Sequence, residues 1–254
     1  MEARCDRTIF KPIVGSSFKF ACHKDLGCFT KCCAALQLIL TPYDIIRLKK
    51  RLGINSDQFL DQYTDIKMDS HPRFPMVYLL MNQDKEKKCP FVTPDGCTIY
   101  EDRPGACRIY PVGRAALKIE QQPDAKEKFF MVKEDHCLGF QENREWTVDE
   151  WMSSEGLKEY NQMNDLWLEI LNSPKGLGGE KDLSRKVQMF YMASYNLDRF
   201  RNFIFKSPFF DRFDVESKQK KLISKDDVAL MKFAFTWLKF SLFGEKTMKV
   251  NSPF

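Results

Sequence analysis

The sequence predicts an α+β protein: a small, loop-rich module with short strands over residues 1–145, then a mostly helical extension over residues 146–254. Three observations predict it. All nine cysteines and nine of the twelve prolines fall in the first segment. The second segment has no cysteine and carries long apolar repeats at helical spacing. Eight cysteines lie between Cys22 and Cys137, and four of them (Cys22, Cys28, Cys32 and Cys33) lie within twelve residues. Gathering soft sulfur donors so densely is what a thiolate-held metal requires.

Taken in order, Phe18 to Ala21 and Ala35 to Leu40 are predicted strands flanking the first cysteines. Thr41 is a predicted N-cap, with Pro42 at the first helical position, Asp44 in the first turn and Gly53 as the stop. Ser56 is predicted to cap a second short helix ending near Tyr63. Met76 to Met81 reads as a strand, followed by a charged turn from Asp84 to Lys88. Pro94-Asp95-Gly96 is a turn that returns Cys97 towards Cys89. Leu117 to Gln121 and Phe129 to Lys133 form a predicted hairpin. Thr147 caps a predicted helix running from Val148 towards Leu171, and Ser173 to Gly179 is a turn. Further helices are predicted from Asp182 to about Phe205 and, capped by Ser224, through Phe243. On the last, Met231, Phe235, Leu238 and Leu242 share one face. The many phenylalanines of this half are read as packing rather than function.

The second cysteine group, Cys89, Cys97, Cys107 and Cys137, is spread over a stretch rich in turn residues, as in a loop-rich module folded around an ion. Disulfides are the competing reading, and they belong to oxidising compartments. Met1 is followed by Glu2, Arg4 and Asp6 rather than an apolar stretch, which predicts no secretory leader, and no eighteen-residue apolar run predicts a membrane span. The expectation is therefore a cytoplasmic protein with reduced thiols, and an odd total of nine leaves one cysteine over in any all-disulfide scheme. Cys5, outside the cluster block, is expected to be that free thiol. Adjacent Cys32 and Cys33 project in different directions and are expected to reach different metal atoms, or one to support rather than ligate.

A net charge of +5 is modest, and basic runs such as Lys49-Lys50-Arg51 and Lys218 to Lys221 are short. That argues against a nucleic-acid partner, and membrane association is not expected either; a protein partner or protein substrate is. No Ser-His-Asp arrangement, paired carboxylates or phosphate loop stands out, so whether the chain is an enzyme stays open.

With these residues set out, the chain resembles the CxxCxxCC cysteine-cluster family of zinc- or iron-chelating proteins. The resemblance runs over about residues 18–145. It is carried by Cys22 to Cys33, Cys89-Pro90-Phe91, Asp95 to Glu101 around Cys97, Arg103-Pro104, Cys107-Arg108-Ile109-Tyr110-Pro111 and Cys137-Leu138-Gly139. The first cluster reads C-x5-C-x3-CC, longer in both gaps than the family's usual form, which brings His23 forward as a substitute ligand. The resemblance also touches flagellin lysine N-methylases and so implies a lysine N-methyltransferase as one alternative. A nucleotide-type cofactor would want a glycine-rich strand-to-helix turn, and Gly176 to Gly179 follows no strand.

The eight cysteines Cys22, Cys28, Cys32, Cys33, Cys89, Cys97, Cys107 and Cys137 are the expected metal ligands, enough for two four-thiolate centres. Arg103 and Arg108 bracket Cys107 and are expected to face an anionic cluster; their plain alternative is an ion pair with Glu101 or Asp102. Irregular spacing, unlike paired zinc knuckles, favours one or two [4Fe–4S] clusters serving electron transfer, redox sensing or protein modification. The alternative cofactor is zinc, in an interaction module without catalysis. His136 and His71 are expected to be an exposed loop residue and a structural residue, and Tyr100 and Tyr110 to shield the centre.

Overall fold

A computed structural model of the chain describes residues 9–115, 127–179 and 182–251. In chain order the early elements are β1 (Phe10–Pro12), β2 (Ser17–Lys19), α1 (Pro42–Leu52), α2 (Ser56–Tyr63), β3 (Thr64–Lys67) and β4 (Met76–Leu79). Then come β5 (Val92–Thr93), β6 (Gly96–Cys97), α3 (Gly105–Ile109), β7 (Val112–Ala115), β8 (Lys128–Val132) and β9 (Glu145–Thr147). The helical part follows as α4 (Val148–Ser154), α5 (Leu157–Leu171), α6 (Leu183–Tyr195), α7 (Leu197–Lys206), α8 (Phe209–Arg212), α9 (Ser217–Ile223) and α10 (Asp227–Phe243). The class is α+β, with short antiparallel strands early and helices late. No helix among the described residues is long and apolar enough to cross a membrane.

The chain divides into two compact units, each built from two stretches: Met1–Leu36 with Met81–Asn161, and Gln37–Leu80 with Gln162–Phe254. In the first unit β1, β8 and β7 form a three-stranded antiparallel sheet in that order, and β2 pairs with β9. Phe20, Val112, Met131 and Trp151 make its buried core, with Tyr110, Cys137, Phe140 and Trp146 packed against it. Phe20 is the hub, since its ring meets Tyr110, Phe140 and Trp151 edge-on with centroids 5.9, 5.3 and 5.6 Å away. Such edge-to-face pairs add to the burial itself. The hairpin appears as β7 with β8, Val112 opposite Met131. Its expected first strand, Leu117 to Gln121, lies outside the described residues, as does Cys5.

The second unit is organised by its helices. Alpha-helix α1 begins as its sequence demands: the Thr41 hydroxyl accepts from the Asp44 amide at 3.3 Å, the Asp44 carboxylate accepts from the Thr41 amide at 2.8 Å, and Gly53 closes it at φ 67°. Both reciprocal bonds satisfy amides the helix leaves free. Helix α2 is capped by Asn55, not Ser56, because the Asn55 side chain accepts from the Gln58 amide at 2.9 Å. Ser56 is instead recruited by Asp198, whose Oδ2 accepts from its amide at 2.8 Å and its hydroxyl at 2.9 Å. That carboxylate also meets Lys49, which is 5 % exposed and held at 2.8 Å from Asp198 and 2.9 Å from Asp227. Arg201 closes the network onto both aspartates. One ion network thus ties α1, α2, α7 and the start of α10 together.

Two expected helices are each divided. The helix from Val148 breaks at Gly156, whose φ of 62° is open to glycine at little cost, and the helix from Asp182 breaks at Asn196. The Asn196 side chain caps α7 by accepting from the Arg199 amide at 3.1 Å. Ala35 to Leu40 is not a continuous strand: Ala35 sits at φ 52°, and the segment meets β4 through an isolated bridge, Ile39 opposite Tyr78. The last helix starts from Asp226 rather than Ser224, because the Asp226 carboxylate accepts from the Ala229 amide at 2.7 Å. It buries more than the expected stripe. Leu230, Phe233, Ala234 and Trp237 are buried alongside Met231, Phe235, Leu238 and Leu242, as suits the central helix of a core. The phenylalanines largely pack: Phe190, Phe200, Phe209, Phe233 and Phe235 are buried, while Phe203 and Phe205 reach the surface.

Candidate metal centre

All eight cysteines from Cys22 to Cys137 fall in the first unit, and all are free thiols. Their positions follow from a series of tight turns. From β2 the chain passes Phe20 and Ala21, whose amide donates to the Gly139 carbonyl at 3.1 Å. Successive turns follow, with Leu26 donating to His23, Phe29 to Leu26 and Lys31 to Cys28 at 3.2, 2.8 and 3.0 Å. Thr30, at φ 65°, starts a 3-10 turn over Lys31–Cys33. This coil winds Cys22, Cys28 and Cys32 around one loop. The Cys28 sulfur, only 7 % exposed, accepts the Leu138 amide at 3.2 Å, which draws in Cys137 from more than a hundred residues away.

A second set of backbone bonds organises the other cysteines. The Cys33 carbonyl accepts the Cys89 amide at 2.8 Å, and Ala34 bridges to Lys88. Cys89 then opens a turn onto Val92, and the β5–β6 hairpin sets Cys97 opposite Val92. Gly96 makes that hairpin possible at φ 115°, a region side chains rarely enter. Cys107 rides on α3, its amide bonded to the Pro104 carbonyl at 2.9 Å.

Between neighbours the sulfurs of Cys32 and Cys33 are 4.0 Å apart. Among the described residues, no group of three cysteine, histidine, aspartate or glutamate side chains stands at coordinating distance from a common point. Partial burial of its sulfur pushes the Cys22 thiol up to about 11, and Cys32, Cys137 and Cys28 add to the rise while Arg103 opposes it. Cys32 is raised by its contact with Cys33 and by burial; burial raises Cys89, Cys97 and Cys137. Sulfurs that resist ionisation together become thiolates when a positive centre lies among them.

The charge of Arg103 acts on Cys22 and on Cys97, favouring the thiolate of each. Its guanidinium stacks over the Tyr100 ring at 3.7 Å and pairs with Glu155, a carboxylate 52 residues away. Arg108 is spent on backbone, donating to the carbonyls of Glu155 and Glu101. Tyr110 contributes a buried hydroxyl without a hydrogen-bond partner among the described groups. Burial and then the Cys137 sulfur perturb it most, so this hydroxyl is a donor available to a thiolate at that position. Tyr100, by contrast, is 55 % exposed.

The histidines have other partners. His23 lies 3.6 Å from both Asp25 and Glu142 at the surface, and His136 lies 3.6 Å from Glu134. His71 is in the second unit, where its Nδ1 accepts from the Arg73 and Phe74 amides at 3.2 Å each. Two features had no signal in the chain: Glu155 as the partner of Arg103, and the aromatic wall of Phe20 and Trp151 against which Cys137 packs. Both join distant segments.

Gly139 is a position where backbone leaves no room for a side chain. A Cβ there would lie 2.6 Å from the Ala21 carbonyl oxygen and 2.6 Å from a ring carbon of Phe20, and backbone cannot step aside as a side-chain tip can. Gly139→Ala is expected to destabilise the first unit by about 1–3 kcal/mol through this overpacking. Urea unfolding followed by Trp fluorescence checks it; an unchanged midpoint would show that the Cys22 and Cys137 segments are not clamped here.

A scan against family models matches residues 21–138 to the CxxCxxCC family, described as a putative zinc- or iron-chelating domain. No curated protein and no solved structure matched the chain.

Proposed function

We propose, from the match of residues 21–138 to the CxxCxxCC family, that the chain is an iron–sulfur protein, its eight cysteines holding one or two [4Fe–4S] clusters. The observation that carries this reading is the convergence of eight free thiols from separate stretches of chain into one unit, with the Arg103 cation acting on members of both cysteine groups. Anionic four-thiolate clusters are stabilised by such nearby positive charge and by donors to their sulfurs. A cluster of this kind supplies one-electron chemistry when bound. The chain's own residues then hold and insulate it: Phe20, Trp151 and Phe140 exclude water beside Cys137, Tyr110 offers its hydroxyl there, and the Leu138 amide donates to Cys28. The roles that suit this arrangement are electron transfer, redox sensing or modification of a protein partner.

Metal and acid-labile sulfide content of anaerobically purified protein, with its visible spectrum, tests the proposal. Iron and sulfide in equal amounts with broad thiolate-to-iron absorption is the expected result. Stoichiometric zinc without sulfide in colourless protein would overturn it in favour of a zinc-stabilised module.

A further inference from the structure

We infer that the outer edge of β3 is a self-pairing surface, to which a second copy of this chain adds its own β3 antiparallel about Ile66. The surface lies wholly in the second unit and needs no bound metal.

The free edge follows from the directions of the backbone bonds. On β4 the Leu79 amide donates to the Leu38 carbonyl at 2.9 Å and the Val77 carbonyl accepts the Leu40 amide at 2.8 Å, so these two residues turn away from β3. The Leu80 amide donates to the Tyr63 carbonyl at 2.8 Å, so the alternate residues of β4 turn towards it. In the observed register Asp65 stands opposite Tyr78 and Lys67 opposite Met76, and these are the β3 residues whose amides and carbonyls serve the hairpin. The amide and carbonyl of Ile66 therefore point outward. Among the described residues no strand pairs with that edge.

The side chains mark the same edge. Ile66 stands opposite Val77, which is fully buried, yet Ile66 is 46 % exposed and Met68, just beyond it, 61 %. Both line an apolar groove of about 410 Å³ that Val187, Tyr191 and Met192 of α6 also line. An unfilled groove beside an open strand edge fits an added strand, whose backbone takes the edge bonds while alternate side chains enter the groove. The charges select this chain's own β3 as that strand. Pairing about Ile66 sets Asp65 opposite the partner subunit's Lys67 and Lys67 opposite the partner subunit's Asp65, two opposite-charge pairs related by a two-fold axis. Pairing about Asp65 or about Lys67 would set like charges opposite each other, so the register is specified as well. A strand of four residues makes a small contact, and the dimer is expected to exchange with monomer at micromolar concentrations.

Sedimentation equilibrium of the full-length protein over a concentration series tests this, under reducing conditions so that no disulfide links the copies. A reversible monomer–dimer equilibrium is expected for the wild type. Asp65→Lys and Lys67→Asp each turn both opposite pairs into like pairs and should weaken the dimer by about tenfold or more. The double variant Asp65→Lys with Lys67→Asp should restore it, and so should an equimolar mixture of the two single variants. That rescue separates a pairing defect from a folding defect. A wild type that stays monomeric into the millimolar range overturns the inference, the edge charges then serving to keep strands apart. A dimer that neither single exchange weakens, or a loss that the double exchange does not restore, overturns it too, because the copies then meet elsewhere or not through these charges.

Discussion

Lys49→Met is expected to destabilise the second unit by about 3–5 kcal/mol, the cost of removing one partner from a buried ion pair. The ammonium sits among α1, α2, α7 and α10 at 7 % side-chain exposure, between Asp198 and Asp227. Methionine fills the same space but leaves the two carboxylates facing each other, with Arg201 as the remaining cation described on both. Burial by itself would raise the Asp198 pKa. The Lys49 hydrogen bond, the Ser56 amide and hydroxyl and the Lys49 charge outweigh it and hold the group at about 2. An unfolded aspartate titrates near 3.9, so the folded value is depressed. The stabilisation linked to Asp198 is therefore fully present above about pH 4–5 and is lost as pH falls towards 2. Thermal melts of wild type and variant at neutral pH and near pH 3 check both statements. The gap between them should narrow as the carboxylates protonate. Equal melting temperatures at neutral pH would mean that Lys49 is replaceable. Adding Asp198→Asn to Lys49→Met should restore part of the loss, since Asp227 and Arg201 then remain as an opposite pair.

The second large effect is expected on removing the metal. Structural zinc sites contribute about 10–16 kcal/mol of apparent binding energy in small peptides, and that energy is folding energy. In this chain it would be spent on segments with few regular hydrogen bonds, the turns from Cys22 to Cys33 and from Cys137 to Gln141. Hydrogen exchange reads this locally. On treatment with a strong chelator under reducing conditions, the amides of Ala21, Leu138 and Cys89 should lose their protection, because each is held by a bond between cysteine-bearing segments. The amides of α6 and α10, in the other unit, serve as the internal control. Unchanged exchange at Ala21, Leu138 and Cys89 after complete demetallation would show that the thiol loops fold without an ion.

How far the chain could be read depended on the range of the interactions. Helix α1 was legible residue by residue, since Thr41, Pro42, Asp44 and Gly53 act within one turn of where they stand. Ser56 misled because its cap-like hydroxyl is claimed by Asp198, 142 residues away, while Asn55 does the capping. The stretch from Ala35 to Leu40 has strand-like composition, but Ala35 in a left-handed conformation prevents a continuous ladder. The break at Gly156 was signalled by its glycine. The break at Asn196 carried only the weaker signal of an asparagine inside an apolar pattern. At the site the cysteine positions were plain and their grouping was not, because Cys28 meets Leu138 and Cys33 meets Cys89 through folding rather than spacing. Arg103 was legible as a cation beside the cluster, yet its carboxylate partner came from the next helix region, beyond any local rule.

The interleaving of the two units has a consequence for synthesis. Residues 37–80 belong with residues 162–254, and residues up to 36 belong with residues 81–161. Neither unit has all its parts until most of the chain has left the ribosome. Cys22, Cys28, Cys32 and Cys33 emerge about a hundred residues before Cys137, whose segment the Cys28 sulfur holds. At translation rates of about 5–20 residues per second, those four thiols wait roughly 5–20 s for their distant neighbour. During that interval the nascent chain presents a dense, flexible thiol cluster to whatever oxidant or loosely held metal it meets, so its vulnerable period is set by the topology of the fold rather than by its final stability.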